Sequence, residues 1–361
     1  MKDVKINLVG EMKTVMSNPA SKFNYFGWPT VARLKDGRLA VCASGFRQRH
    51  VCPFGKACIS FSDDEGESFS LPAPVIDTPL DDRDGGITPF GKSGAIVTSF
   101  NNTVGFQRVN SRYTLAHAYL DTVSNEDEEK YVASNFRISF DNAKTFGPIY
   151  RSPVTSPHGP IELSDGTILY VGRNFQKDNA RGKDDGISAY RLGLDGTMEL
   201  LGRVELEGHF DKEKEIFCEP HAIELSDGRI LLHIRTHTYA GVLTIYQTIS
   251  CDGGRTWEKP YPIADSDEGA PPHLMRHSSG VIVCSYAKRV APFEIKAMFS
   301  FDEGKTWEKK TVLTTNGSSD FGYASTVELK DGSMLTVFYM AGEKDKPSNI
   351  YAQRWSFDAL E

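Results

Sequence analysis

Residues 217–235 read Phe217-Cys-Glu-Pro-His-Ala-Ile-Glu-Leu-Ser-Asp-Gly-Arg-Ile-Leu-Leu-His-Ile-Arg235. An Asp-Gly pair between two apolar runs, here Asp227-Gly228, predicts a β-hairpin with a tight turn. The outer ends of the two strands carry Glu219, His221 and Arg235. Folding at the turn therefore brings a carboxylate, an imidazole and a guanidinium together at one rim of the hairpin.

The same strand–turn–strand pattern occurs six times along the chain. Four of the six turns contain Asp-Gly, and successive turns lie about 50 to 75 residues apart, which leaves room for four short strands in each repeat. The turns are Asp36-Gly37, Gly91 to Gly94, Asp165-Gly166, Asp227-Gly228, Ser279-Gly280 and Asp331-Gly332.

A second motif, S-x-D-x-G-x-[ST]-[FW], alternates with the hairpins. Its four copies begin at Ser62, Ser139, Ser250 and Ser300, and Ala143 replaces the glycine in the second copy. An Asp can accept backbone N–H bonds inside a tight turn, a Gly allows a left-handed backbone, and the aromatic residue can pack between strands. We therefore expect the Asp residues of this box to be structural and not catalytic.

Six repeats of four strands predict an all-β fold, a six-bladed β-propeller of four-stranded antiparallel blades. We expect one domain over residues 1–361. The alternating segment Ile350–Trp355 is expected to pair with residues near Val4–Leu8 and so to close the ring. Helical periodicity is almost absent, and the charged run Glu126–Lys130 predicts a solvated loop or short turn.

Composition limits the classes of function. Hydrophobic residues make up 39% of the chain, and the net charge of −7 comes from interspersed acids and bases, which argues against a nucleic-acid partner. Apolar runs are strand-sized, so no membrane partner is expected. The sequence starts without a secretory hydrophobic segment, which predicts a cytoplasmic protein. The six cysteines form no C-x-x-C pair and are expected to be reduced, buried thiols.

Polar residues recur at equivalent positions of the hairpins. Residues seven or eight places from each turn should reach the same face of a propeller, near its axis. Such a convergence of titratable groups in one concavity predicts a functional site. Before the turns they are Trp28, Asp84, His158, Glu219, His221, His273 and Tyr323, and after the turns they are Arg47, Arg49, His50, Ser99, Arg173, Arg235, Arg289 and Tyr339.

The four boxes and six hairpins resemble the sialidase (neuraminidase) superfamily of glycoside hydrolases, over essentially the whole chain. In that family a Glu at the start of one innermost strand pairs with an Arg that closes the same hairpin, and Glu219 and Arg235 match this pair. The family nucleophile is a Tyr before the last hairpin, which Tyr323 in Asp320-Phe-Gly-Tyr-Ala-Ser325 matches. Arg289 is the best match for a further Arg of the clamp that binds the substrate carboxylate.

Two positions depart from the family pattern. The family opens with an Arg-Ile-Pro segment that supplies the first of three clamp arginines, but this chain has Phe26-Gly27-Trp28-Pro29. The family places its acid/base Asp in the loop after the first hairpin, but residues 46–55 contain no carboxylate. Arg47 or Arg49 is the candidate for the missing cation. His50 or Asp84 is the candidate for the missing acid.

The resemblance implies an exo-acting glycoside hydrolase that cleaves a terminal anionic sugar, sialic acid or a relative, from a glycan without a cofactor. Arginine binds a carboxylate through paired hydrogen bonds. A tyrosine titrates near pH 10, so a Tyr nucleophile needs an adjacent base. We therefore expect Tyr323 as nucleophile, Glu219 as its base, and Arg235 and Arg289 as anion binders. Further substrate contacts are expected from Arg47, Arg49, Arg173, Trp28, His158 and His221.

Three alternatives stay open. An enzyme of this fold could act on a uronic acid or another non-sialic sugar by hydrolysis or by β-elimination, which the missing clamp arginine and the histidines favour. A non-catalytic propeller would bind glycans without turnover. A metal held by His158, His221 and His273 is the third, although their spacing matches no specific metal motif.

Overall fold

The computed structural model describes residues 3–111, 113–179, 186–206, 215–238, 243–264, 269, 271–341 and 347–360. Within these ranges the strands form six separate antiparallel sheets that follow one another along the chain as the blades of a propeller. The predicted all-β, six-bladed fold with four-stranded blades is confirmed.

The first three blades begin with the strand nearest the propeller axis. Blade 3 divides this inner position between two short segments that both pair with the next strand. Their strands are Tyr25–Arg33, Leu39–Arg47, Lys56–Ser62 and Ala73–Ile76 in blade 1; Arg83–Phe90, Gly94–Phe100, Ser134–Ser139 and Tyr150–Ser152 in blade 2; and Val154–Thr155, Ile161–Glu162, Ile168–Asn174, Ile187–Leu192 and Met198–Arg203 in blade 3.

The last three blades follow the same order, and each contains one of the predicted glycine turns between its first two strands. Their strands are Glu215–Glu224, Ile230–Thr238, Leu243–Ser250 and Tyr261–Pro262 in blade 4; His273–Arg276, Ile282–Lys288, Phe293–Ser300 and Glu308–Asn316 in blade 5; and Phe321–Glu328, Met334–Ala341, Ser348–Leu360 and Asp3–Met16 in blade 6.

The ring is closed by the two ends of the described chain. Strand Asp3–Met16 is the outermost strand of blade 6 and runs antiparallel to Ser348–Leu360. Leu8 lies opposite Trp355 in this pair. The predicted pairing of these two segments is confirmed.

The hydrophobic core lies between the blades. Six clusters of buried apolar residues each join two neighbouring blades, and together they cover all six interfaces of the ring. The inner strands are therefore buried on both faces, which explains why Tyr25–Arg33 and Leu39–Arg47 contain almost continuous buried residues.

The repeated box forms a compact turn at the outer side of a blade. In the first box, the Ser62 Oγ accepts a hydrogen bond from the Gly66 amide at 2.8 Å, and Asp64 accepts one from the Ser68 amide at 2.9 Å. Gly66 has φ +88°, and a Cβ there would approach Leu335 of the preceding blade to 2.8 Å. The box thus fixes its own turn and packs against a neighbouring blade, which is the expected structural role.

Three short helices, α1 (Val104–Ser111), α2 (Thr114–Leu120) and α3 (Asn125–Tyr131), connect the second and third strands of blade 2. The prediction of a loop or turn at Glu126–Lys130 is wrong, because these residues lie in α3. The Ser124 side chain caps this helix by accepting a hydrogen bond from the backbone N–H of residue 127 at 3.0 Å, so Ser124-x-x-Asp was the overlooked signal.

A 3₁₀ helix at Lys177–Asn179 follows strand Ile168–Asn174 of blade 3. None of the helices in the described ranges is long and apolar enough to cross a membrane.

Candidate active site

The site is organised by four equivalent β-bulges on inner strands. In blade 4, Cys218 pairs with Arg235 and His221 pairs with His233, so two residues on the inner strand face one on the second strand. Blades 1, 2 and 6 show the same irregularity at the same height. A bulge re-aims the side chain that it carries, and a positive φ outside glycine persists only where the surrounding structure holds it. The bulge residues are Trp28 (φ 58°), Asp84 (φ 60°), Glu219 (φ 50°) and Tyr323 (φ 54°).

Two of these bulges bring a carboxylate and a phenol into contact. The Tyr323 hydroxyl donates a hydrogen bond to Glu219 Oε1 at 2.6 Å. Arg235 binds the other oxygen of the same carboxylate, with Nη1 to Oε2 at 2.5 Å. The side chains of Glu219 and Arg235 are 20% and 13% exposed, so solvent or a ligand can still reach the pair. The expected meeting of Glu219 and Tyr323, 104 residues apart in sequence, is observed.

The pair is held in one protonation state. Burial raises the pKa of Glu219, but Arg235, the Tyr323 hydrogen bond and Arg289 outweigh it, so the pKa of this carboxyl lies below its ordinary value. Burial and the charge of Glu219 raise the pKa of Tyr323 well above its ordinary value. Glu219 is therefore the ionised partner and Tyr323 keeps its proton until a reaction removes it.

Asp84 is in a different environment, although it occupies the same kind of bulge. It is 7% exposed, and no side-chain hydrogen bond to its carboxyl exists among the residues that the structure describes. Burial and the negative charge of Glu219 raise the pKa of Asp84 to about 7. At neutral pH this carboxyl is therefore partly protonated, as a general acid requires.

Two adjoining clefts, of about 350 Å³ and 330 Å³, open at the bulges and share Asp84, Phe100 and Glu219 as lining residues. Arg173 and Arg235 line the first cleft. The second is lined by His50, Arg83, Asn102 and Tyr323, among others. The two carboxyl groups with opposite pKa shifts thus lie at the junction of one continuous opening.

Arg289 lies beside this junction but does not line either cleft. Its Nη2 donates a hydrogen bond to the Ser319 carbonyl at 3.4 Å. Tyr339 raises the pKa of Arg289 against the opposing effect of burial, and Tyr323 and Glu219 add to the increase. The guanidinium therefore interacts electrostatically with the Tyr323–Glu219 pair.

Trp28 and Arg47 are both buried and lie outside the lining of the two clefts. Trp28 is only 2% exposed, so almost none of its ring is open to solvent. The guanidinium carbon of Arg47 lies 4.8 Å from the centre of the Trp28 ring, and Arg47 is fully buried. Asp81 pairs with Arg47 at 2.5 Å, which neutralises this cation inside the protein. Neither Trp28 nor Arg47 lines the clefts, and their role as substrate contacts stays a prediction.

His50 and Arg49 both lie on the exposed loop after the first hairpin. Arg83 donates to His50 Nε2 at 3.3 Å, so the neutral ring carries its proton on Nδ1, which lies 3.4 Å from Asp320. Burial lowers the pKa of His50, and Arg83 and Arg47 lower it further. His50 is thus a neutral ring whose proton faces another protein carboxylate. Arg49 is exposed and lines neither cleft.

Three histidines form a buried layer around the axis, below the bulge residues. The rings of His221 and His273 stack at 4.5 Å, and His158 lies 5.5 Å and 4.9 Å from them. Burial lowers the pKa of all three. They are 1–7% exposed and line neither cleft, and the role of His158 and His221 as substrate contacts stays a prediction.

The hydrogen bonds of this layer also bear on the metal alternative. His221 Nδ1 accepts from the Leu274 amide at 2.9 Å, and His273 Nδ1 accepts from the Thr326 amide at 3.3 Å. Each neutral ring must then carry its proton on Nε2. This nitrogen therefore has no free lone pair to bind a metal. Among the described residues, no group of three or more His, Cys, Asp or Glu is arranged to hold a metal ion.

Sequence reasoning missed two charged residues beside the site. Arg83 packs on Trp28 at 4.4 Å on the side of the second cleft, and it directly precedes Asp84. Asp320 accepts hydrogen bonds from Tyr25 at 3.0 Å and Tyr339 at 3.2 Å. The sequence did contain a signal for Asp320, since it lies three residues before Tyr323.

Comparison with known proteins places the fold. The BNR repeat-like domain family matches residues 159–337. A protein of unknown function from Dyadobacter fermentans has 21% identity and a TM-score of 0.76 over 98% of this chain and 99% of its own. The NanB sialidase of Streptococcus pneumoniae has 14% identity and a TM-score of 0.66 over 96% of this chain and 70% of its own.

A Penicillium chrysogenum α-L-arabinanase has 12% identity and a TM-score of 0.63 over 97% of this chain and 98% of its own. No curated protein matches the chain by sequence. The fold is therefore that of a sialidase-like propeller with BNR-type repeats, a scaffold that glycosidases share.

Proposed function

We propose that this protein is an exo-acting glycoside hydrolase of sialidase type, which cleaves a terminal anionic sugar from a glycan. The observation that carries the proposal is the 2.6 Å hydrogen bond from the Tyr323 hydroxyl to Glu219, with Arg235 on the other carboxylate oxygen. A phenol whose proton already points at an ionised carboxylate is an activated-nucleophile arrangement. The pair lies at the junction of two clefts, where a sugar can reach it.

In the first step, the Tyr323 oxygen bonds to the anomeric carbon as the glycosidic C–O bond breaks. The hydroxyl proton moves to Glu219, so a neutral phenol becomes the nucleophile without a free phenolate. Asp84 donates its proton to the departing oxygen. We assign this role to Asp84 and not to His50, because the pKa of Asp84 is raised to about 7 whereas the His50 proton faces Asp320.

In the second step, water replaces the tyrosine at the anomeric carbon. Asp84, now ionised, takes a proton from the water, and Glu219 returns its proton to the Tyr323 oxygen. Both carboxyl groups regain their starting states. The sequence of two displacements retains the configuration of the sugar.

Three arginines support an anionic substrate. Arg235 and Arg173 line the first cleft, and Arg289 interacts with Tyr323 and Glu219 from the side. Guanidinium groups at this junction would bind a sugar carboxylate through charge-assisted hydrogen bonds.

A second candidate function is hydrolysis of a non-sialic sugar, with Glu219 itself as nucleophile. The observation that favours it concerns the first arginine of the expected carboxylate clamp. The sequence has Trp28, which is buried, beside that position, and the nearby cation Arg47 is paired with Asp81. Two carboxyl groups whose pKa values are shifted in opposite directions also match the common two-carboxylate pattern of glycosidases. The arabinanase among the structural neighbours has the same fold.

The test is turnover of fluorogenic aryl glycosides, with a sialoside, a glucuronide and an arabinofuranoside side by side. Cleavage of the sialoside or glucuronide, lost in Tyr323→Phe and Glu219→Gln but kept in the remote control Tyr351→Phe, would support the proposal. Cleavage of the neutral sugar, with Tyr323→Phe active, would support the second candidate. An ultraviolet-absorbing unsaturated product would indicate a lyase, and tight binding without turnover a glycan-binding protein; either result would contradict the proposal.

A further inference from the structure

Asp320 borders the second cleft through its contact with the lining residue His50, and it has no part in the reaction proposed above. Its side chain is 33% exposed, and its Oδ1 lies 3.4 Å from Nδ1 of His50, which lines the cleft. It is therefore one hydrogen bond away from the cleft wall and is accessible to a ligand.

The hydrogen bonds of Asp320 leave part of the carboxylate unused. Oδ1 accepts from Tyr339 at 3.2 Å and from His50 at 3.4 Å, and it shares the Tyr25 hydroxyl hydrogen, at 3.1 Å, with Oδ2, at 3.0 Å. Among the described residues, Oδ2 accepts from no other group. A carboxylate can accept about four hydrogen bonds. Oδ2 therefore retains acceptor capacity, on a side chain that solvent or a ligand can reach.

The same contacts keep Asp320 ionised. Burial raises its pKa, but His50, Tyr25 and Tyr339 outweigh burial and hold the pKa of this carboxyl below its ordinary value. The two phenols keep their protons, because burial raises the pKa of Tyr25 and of Tyr339. The edge of the cleft thus presents a negative, hydrogen-bond-accepting group held by fixed donors.

This edge adjoins the position where the family resemblance leads one to expect a cation. Trp28 occupies that position, and its ring lies 5.9 Å from Tyr25, 5.8 Å from Tyr339 and 4.9 Å from His50. The three rings that donate to Asp320 therefore pack on Trp28. On its Asp320 side this position therefore presents an assembly that accepts hydrogen bonds, while the Arg83 guanidinium lies 4.4 Å from the Trp28 ring on the side of the second cleft.

We propose that Asp320 is a specificity-determining residue, whose Oδ2 accepts a hydrogen bond from a hydroxyl group of the sugar in the cleft. This inference rests on the proposed function, since it needs a sugar beside Tyr323. It also orients that sugar. A carboxylate of the sugar is repelled by Asp320 and faces Arg235 and Arg289, and a hydroxyl-bearing edge faces Asp320.

The test measures binding and not turnover. Titration calorimetry first compares the methyl glycosides of N-acetylneuraminic acid, glucuronic acid and arabinose on the wild-type protein. The monodeoxy analogues of the sugar that binds best are then titrated into the wild type, Asp320→Ala and Asp320→Asn. Asp358→Asn, an exposed and remote carboxylate, is the matched control for the change in charge.

We expect one deoxy position to weaken binding to the wild type about tenfold or more, as a lost charged hydrogen bond does. The same deletion should have little effect in Asp320→Ala, because the acceptor is already gone. Asp320→Asn keeps the shape and one acceptor oxygen, so its loss should be intermediate, while Asp358→Asn behaves as the wild type. Equal losses at every deoxy position in the wild type and Asp320→Ala would overturn the inference.

The two proposals can fail separately. Sugar binding that depends on Asp320, in a protein that hydrolyses no glycoside, would contradict only the proposed function. Turnover with binding that is independent of Asp320 would contradict only the inference. If the wild type binds none of the sugars, both are contradicted.

Discussion

The box turns and the inner-strand bulges are both backbone devices that occur four times, but they use side chains in opposite ways. The boxes repeat nearly the same residues, with Ser, Asp and Ser or Thr at fixed spacing. The bulges carry a different side chain in each blade, namely Trp28, Asp84, Glu219 and Tyr323. Equal side chains at equivalent positions serve the fold, whereas unequal side chains at equivalent positions build one asymmetric site.

Two aspartates make the contrast concrete. Asp252 of the third box accepts hydrogen bonds from the side chain and the amide of Thr256, which lower its pKa to about 2. Among the described residues Asp84 has no such partner, and burial beside Glu219 raises its pKa to about 7. The surroundings, and not the residue type, decide which aspartate can donate a proton at neutral pH.

The strongest test of this contrast is Asp84→Asn. We expect kcat to fall by about 10²- to 10⁴-fold, because an amide cannot protonate the leaving group. The loss should be smaller for an aryl glycoside with an acidic phenol as leaving group, which needs less protonation. A loss that does not vary with the leaving group would contradict the role of Asp84 as acid.

The pH dependence follows from the same pKa. Asp84 is protonated below about pH 7, so kcat should fall as pH rises through about 7. In Asp84→Asn, the residual kcat should no longer decrease as pH rises through about 7. If the decrease in kcat near pH 7 is unchanged in Asp84→Asn, another group causes it.

Asp84 also links activity to stability. Its pKa is raised on folding, so its contribution to stability is present below the unfolded value, near 4, and is lost as pH rises through about 7. We expect the free energy of unfolding of Asp84→Asn to decline less between pH 5 and 8 than that of the wild type, as measured by urea denaturation. A steeper decline in the variant would have the wrong sign for this environment.

Asp81→Asn probes the buried support of the site. Asp81 is fully buried and pairs with Arg47 at 2.5 Å, so the substitution leaves a buried guanidinium without its counter-charge. We expect the free energy of unfolding to drop by about 3 kcal/mol. A drop below about 1 kcal/mol would show that Arg47 is stabilised by other contacts.

The smallest effect is expected in a box. Asp302→Asn weakens the hydrogen bonds from the Thr306 amide at 2.9 Å and the Thr306 hydroxyl at 2.6 Å. The free energy of unfolding should fall by about 1–2 kcal/mol with kcat unchanged. A large loss of kcat in a stably folded Asp302→Asn protein would contradict the distinction between structural box residues and catalytic bulge residues.

The fold was readable from sequence because its signals are local. Asp-Gly turns and the box motif each fall within eight residues, and the glycines adopt the positive φ that such turns require, as Gly228 does with φ 84°. The helix at Asn125–Tyr131 was missed because its signal is a cap and not an apolar periodicity.

The site was readable only in part, because its details depend on distant partners. Equivalent positions on inner strands identified Glu219 and Tyr323 as neighbours. The pairing of Arg47 with Asp81 and the burial of Trp28 depend on strand register and on side-chain packing, which no local pattern encodes. The role of Asp320 as a hydrogen-bond acceptor for two tyrosines could not be predicted for the same reason.

The most direct measurement is the trapping of a covalent intermediate. A fluorinated glycosyl fluoride of the sugar that the protein cleaves would be incubated with it, and the labelled peptide would be identified by mass spectrometry. The proposed mechanism predicts one glycosyl group on Tyr323, in the peptide that contains residues 320–325. A label on Glu219, or turnover of the reagent with no covalent species, would contradict Tyr323 as the nucleophile.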